Sequence, residues 1–193
     1  MSNFEDLLKR ISRCTVCEEH LPLGPRPVIS VSRNSKILIV GQAPGTKVHT
    51  SGIPWNDQSG KNLRSWLGVT DEQFYDTELF GIVPMGFCYP GKGKSGDLPP
   101  RKECAPLWHE ALLNQMPQLE LTLLIGTYAQ NYYLKKSAKK NLTETVLHFH
   151  EYLPEHFVLP HPSPRNAIWM KKNPWFELEV LPSLKKAVHS IIS

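Results

Sequence analysis

A chain of 193 residues with 40% hydrophobic and 21% charged side chains suits one soluble domain with a substantial core. The longest apolar runs, ILIV (37–40) and LTLLIG (121–126), are strand-sized, which excludes a transmembrane helix and a membrane partner. The formal charge of +4 is too small for a general polycation, but its lysines cluster in KGK (92–94), KKSAKK (135–140) and MKK (170–172). Such clusters suit a phosphate backbone or, equally, a solvated face.

In chain order, the opening MSNFEDLLKRISRC is amphipathic and polar, with a helix over 4–11 and no apolar signal-peptide core. A cytoplasmic chain with reduced cysteines is therefore expected. KILIV (36–40) reads as a strand ending in the turn GQAPG (41–45). SGKNLRSWLGV (59–69) has apolar residues at helical spacing behind Ser59 as N-cap. ELFGIV (78–83) is the second strand, and CAPLWHEALLNQM (104–116) an amphipathic helix. LTLLI (121–125) is the third strand, TYAQNYYLKK (127–136) a helix and HFVLP (156–160) the fourth strand. A last helix spans 174–192 and bends near Pro182. There is no internal repeat. Strand–helix alternation with continuously apolar strands predicts a single α/β domain over 1–193: three α/β/α layers around a central, mainly parallel four-stranded sheet. Ligands of such sheets sit beyond the carboxyl ends of the strands. There the chain carries GQAPG, PMGFCYPG (84–91), GTYAQ (126–130) and HPSPRN (161–166).

GQAPGTKVHTSGIPWNDQSG (41–60) lacks G-x-G-x-x-G, and its SGKN is not a P-loop, so no nucleotide cofactor is expected. The turn could still cradle an anion, as in a small-molecule or nucleotide hydrolase. In LPHPSPRN (159–166), Pro160 and Pro162 restrict the backbone around His161, which suits either a stiff surface loop or a fixed hydrogen-bond donor. The four cysteines, Cys14-x2-Cys17 followed by Cys88 and Cys104, fit buried thiols, a four-cysteine zinc site or an iron–sulfur cluster.

Taken together, GQAPG, then GIPW seven residues on, and HPS after the last strand resemble the uracil-DNA glycosylase superfamily over about residues 10 to 190. The cysteine spacing is similar to its iron–sulfur, thermophile-type branch. That resemblance implies a four-iron, four-sulfur cluster on Cys14, Cys17, Cys88 and Cys104. It implies a monofunctional enzyme, monomeric and acting in base-excision repair, that flips uracil or another deaminated base out of DNA and hydrolyses its N-glycosidic bond. His161 would donate a hydrogen bond to uracil O2 as negative charge develops there. Trp55 would stack on the base, with Gly41, Gln42, Ala43 and Met85 around it. Ser163, Arg165 and Asn166 would face DNA, extended by Lys171 and Lys172.

Two departures stand out. The acidic positions of the family's first motif are Ala43 and the pair Val48-His49, which leaves His49 and Asp57 to orient the water. Pro84 stands where the family reads the base with Asn, so backbone at Met85 to Phe87 would have to substitute, and hypoxanthine or xanthine join uracil as candidates. The missing carboxylates also keep open a non-catalytic nucleic-acid-binding member of the fold.

Overall fold

A computed structural model describes residues 3 to 193. Its strands are β1 (Ile37–Val40), β2 (Phe80–Ile82), β3 (Lys92–Gly93), β4 (Gly96–Asp97), β5 (Leu121–Ile125) and β6 (His156–Leu159). Its α-helices are α1 (Phe4–Ser12), α2 (Thr46–Ser51), α3 (Gln58–Leu67), α4 (Asp71–Tyr75), α5 (Cys104–Leu113), α6 (Thr127–Leu134), α7 (Leu142–Leu147), α8 (Ala167–Lys172) and α9 (Leu181–Ile192). None of the described helices is long and apolar enough to cross a membrane.

β1 lies at the centre because ILIV is apolar on both faces. Ile37 and Ile39 enter one core with Leu121, Leu123 and Ile125 of β5, whereas Leu38 and Val40 enter the other with Leu124 and Val158. This two-residue alternation is what a buried parallel strand requires. All four main strands are parallel in the order β2-β1-β5-β6, with Ile39 beside Ile82 and Leu123, and Leu124 beside Val158. The first core is roofed by α3, α9 and the segment before it, through Leu63, Leu67, Phe176, Leu184 and Val188. The second is roofed by α1, α5 and α6, through Leu7, Ile11, Leu112 and Ala129. Each of the leucine, isoleucine, valine and phenylalanine side chains among these contributes about 1.5–3 kcal/mol when fully buried. The expected α/β/α sandwich is the observed one.

The edges of the expected elements shift for local reasons. Asp57, not Ser59, caps α3: its Oδ1 accepts from the Gly60 amide at 2.8 Å, leaving Ser59 inside the first turn. The C-terminal helix carries a π-helical turn over Phe176–Val180 that runs into α9, with Pro182 in the first turn of α9. Between Cys88 and Cys104 the sequence KGKSGD, read as a basic cluster, folds into the β3–β4 hairpin.

A buried polar knot supports the second core. His109 on α5 is 2% exposed, and its Nε2 lies 3.0 Å from the Pro84 carbonyl. A carbonyl only accepts, so Nε2 carries the proton and the Tyr133 hydroxyl donates to Nδ1 at 2.7 Å. The ring stacks on Phe87 at 5.7 Å. Burial pushes His109 from 6.5 down to about 4. The unfolded chain therefore binds this proton between those values while the folded one does not. The stabilisation is complete above 6.5 and is lost as pH falls toward 4, worth about 3 kcal/mol. Denaturant unfolding should show stability falling across this window, with a flatter slope in His109→Gln.

Candidate active site

The carboxyl ends of β1, β2 and β6 surround a cleft with about 440 Å³ of open space. Its walls are the GQAPG turn, Val48, Pro54, Trp55, Asp57, Pro84 and His161, closed behind by Val28 and Ile82. The segment between β1 and α3 shapes it. α2 stops at Gly52, whose φ of 72° is the left-handed cap conformation. The chain then turns at Trp55, a non-glycine residue at φ 57°, an uncommon backbone state that its surroundings must enforce. Tyr75 Oη donates to the Pro54 carbonyl at 3.1 Å, and Arg64 Nη1 reaches the Trp55 carbonyl at 3.4 Å. Arg64 is itself fixed by Asp71 at 2.7 Å.

Two glycines make room for this turn. A Cβ on Gly60 would lie 1.7 Å from the Trp55 carbonyl oxygen, and one on Gly41 would lie 2.8 Å from the indole. The indole therefore rests on the bare backbone of the first motif. Its ring packs against His161, which also lines the cleft, with ring centroids 5.6 Å apart and planes 33° apart. His161 is held through its backbone: Asn166 Nδ2 donates to the His161 carbonyl at 2.6 Å, Asn62 Nδ2 to Pro162 at 2.8 Å, and Gln130 Nε2 to Leu159 at 2.9 Å. Burial lowers the His161 pKa, against an opposing pull from Asp57. The imidazole is thus neutral near neutral pH, with one N–H to donate.

Residues 29–185 match the family model described as the uracil DNA glycosylase superfamily. The chain belongs to that superfamily. A solution NMR structure from Methanosarcina acetivorans, provisionally described as a uracil DNA glycosylase, is similar at 20% identity, covering 82% of this chain and 94% of that one with a TM-score of 0.46.

Six of the expected site residues lie together in the cleft. Gly41, Gln42, Ala43, Trp55, Asp57 and His161 all line it. Met85 sits behind the wall, 7% exposed, and its amide donates to the Gly41 carbonyl at 2.9 Å. His49 is turned aside toward Tyr89, at 6.0 Å between rings, and its buried Nδ1 has no hydrogen-bond partner among the described residues. Burial lowers its pKa, with Arg26 adding to the effect. Ser163 accepts the Arg165 amide at 3.3 Å, and Arg165 Nη1 donates to Ser95 in the hairpin at 2.8 Å. Sequence reasoning gave no role to Val28, Val48 or Ile82, because apolar wall residues carry no motif.

Cys14, Cys17, Cys88 and Cys104 line a second hollow with Leu21, Phe87, Arg101 and Trp108. None is in a disulfide. Burial pushes Cys88 up to about 11 and Cys104 up to about 12. Cys17 is raised by burial and Glu103, and lowered by Arg101. Phe87 N–H points at Cys104 Sγ at 3.3 Å, and the Arg26 amide at Cys88, donors that suit metal-bound thiolates. Among the described residues no three His, Cys, Asp or Glu side chains converge on one ion. As a donor set, four cysteine thiols around one hollow match the ligands that a metal or a metal–sulfur cluster takes.

Gly60→Ala should drive the new methyl into the Trp55 carbonyl and cost about 1–3 kcal/mol. Urea unfolding, with near-ultraviolet circular dichroism to follow the indole, checks both the loss and the displaced Trp55.

Proposed function

We propose that this protein is a monofunctional uracil-DNA glycosylase acting in base-excision repair, with the cleft receiving a base flipped out of DNA. The observation that carries this reading is the packed Trp55–His161 pair lining a cleft built from the superfamily's two motifs. Flipping costs a few kcal/mol of stacking, recovered when the base enters a fitted pocket. The indole supplies a flat face for the base. As the C1′–N1 bond lengthens, its electron pair leaves with the base and the sugar becomes cationic. The neutral His161 N–H stabilises the charge gathering on uracil O2, a fixed donor aimed at developing charge. Asp57, on the rim, orients the water that adds to C1′.

Ser163, Arg165 and Asn166 follow His161 directly and lie toward the surface, so they suit contacts to the phosphates around the flipped nucleotide. Lys171 and Lys172 extend that basic surface at the end of α8. The wall at Pro84 favours a wider substrate range than uracil alone. The Pro84 carbonyl is bound by His109, and the amides of Met85 and Gly86 by Gly41 and Gln42. The segment is thus committed to the scaffold, and hypoxanthine and xanthine belong among the bases to test.

The cysteine hollow is best read as a four-iron, four-sulfur site held by Cys14, Cys17, Cys88 and Cys104. Bound there, the cluster would cross-link the N-terminal segment to the loop after β2. The raised thiol pKa values mean that protons must leave as metal enters. We further propose that the protein acts in the cytoplasm as a monomer.

Incubation with uracil-containing oligonucleotides, followed by alkali, should reveal abasic sites; DNA binding without cleavage of any deaminated base would reject the enzyme reading. His161→Ala should slow cleavage by about 100- to 1,000-fold. Protein purified without air should contain about four iron and four sulfide per chain, and Cys88→Ser should lose them.

A further inference from the structure

We propose that Asp97 is a second water-positioning carboxylate of this site, carried to the cleft by the β3–β4 hairpin. The inference rests on the glycosylase reading above. Its starting point is a deficit: the residues at the family's acidic positions, Val48 and His49, are an apolar wall and a ring turned toward Tyr89. Asp57 remains, but its Oδ1 is engaged by the Gly60 amide as the α3 cap. A second carboxylate near the cleft would add negative charge opposite the cationic sugar.

The hairpin brings that charge. Asp97 Oδ2 lies 3.4 Å from where a Cβ on Gly45 would stand, so the carboxylate rests against the last residue of GQAPG, which lines the cleft. Two latches hold it there, both made by motif residues. Gln42 Nε2 donates to the Leu98 carbonyl at 3.2 Å, and Arg165 Nη1 donates to the Ser95 carbonyl at 2.8 Å. Gly96, at φ 147°, lets the arginine approach, since a Cβ there would lie 2.8 Å from Nη1. The Leu98 amide closes the base of the hairpin on the Gly91 carbonyl at 2.8 Å.

The exposed Asp97 carboxylate makes no side-chain hydrogen bond or ion pair among the described residues, which leaves it open to a water. The charged groups around it are Arg165 on the HPS loop, Lys92 on its own hairpin and Asp57 on the rim. Partial burial raises its pKa, Asp57 adds to the rise, and Arg165 and Lys92 oppose it. A carboxylate so placed is a better proton acceptor than a fully solvated one.

In the step, the C1′–N1 bond breaks with its pair on the base, and the water oxygen forms the new bond to C1′. The released proton passes to the carboxylate and on to solvent. The base anion, held by His161, takes a proton from solvent. One water is consumed, and the products are the free base and an abasic sugar bearing hydroxyl.

Single-turnover cleavage of a uracil-containing oligonucleotide tests the assignment, alongside binding to a duplex with a non-hydrolysable abasic analogue. Asp97→Asn should cut the rate at least about 100-fold while leaving analogue affinity and melting temperature unchanged. It should also move the acid limb of the rate–pH profile, and Asp97→Glu should restore part of the rate. Asp97→Asn at the wild-type rate would overturn the assignment and leave the glycosylase reading intact. So would a rate loss matched by lost affinity and a lower melting temperature, since the hairpin would then be only a scaffold. Wild-type protein that cleaves no deaminated base would overturn both.

Discussion

The close approach of the Trp55 carbonyl to the Cα of Gly60 is the contact on which the cleft depends. With no room for even a methyl group between them, the turn before α3 is pressed against its first helical turn. Asp57 caps that helix at the same Gly60, so one glycine receives both a backbone oxygen on its carbon and a carboxylate on its nitrogen. The left-handed backbone at Trp55 follows, and its cost of order 1–3 kcal/mol is offset by Arg64, Tyr75 and the buried indole. The indole is thereby laid on Gly41 at one side and faced with His161 at the other. Three segments distant in sequence are locked by packing before any ligand arrives.

Preorganisation of this kind matters because the proposed reaction separates charge. Water would screen a hydrogen bond to a developing anion, whereas a half-enclosed cleft with apolar walls leaves it strong. The same enclosure lowers the His161 pKa and keeps the ring neutral. A positive imidazolium would hold the departing base more strongly, yet it would have to be paired in the resting protein. A neutral donor avoids that requirement, and its backbone tethers to Asn166 and Gln130 fix its direction. Positive charge is instead placed at the rim, on Arg165, where phosphate can reach it.

The sheet and the two motif loops were legible because each signal was local and repeated. Four apolar runs separated by helical patterns leave few alternatives to a parallel α/β sandwich, and loops at their carboxyl ends must share one edge. What stayed hidden depended on contacts across the chain. Asp57 and Ser59 are both good caps two positions apart, and only the packing of Gly60 against Trp55 decides between them. The hairpin was missed because each of its strands has two residues, too few to show alternation, and its lysines read as a surface cluster. His49 looked like the substitute for a lost carboxylate by position alone. In three dimensions α2 rotates Val48 into the cleft and carries His49 to the side, a one-residue difference on a helix of six. A buried histidine such as His109 offers no sequence signal at all, since its role lies in the carbonyl and hydroxyl it joins.

One short segment connects the two hollows. From β2 the chain passes Pro84, which walls the cleft, then Phe87, which stacks on His109, and then Cys88, which lines the cysteine hollow. His109 grips the Pro84 carbonyl, and Phe87 uses its amide on Cys104 and its carbonyl on the Val28 amide. With so many backbone groups engaged, displacing Cys88 would strain every neighbour up to the cleft wall, for a packed core transmits small shifts. The cysteines therefore need not touch the substrate to matter for it. Anything that pins them pins Pro84, and a proline fixed by its neighbours sets the shape of the cleft where a mobile amide would have set its hydrogen bonds.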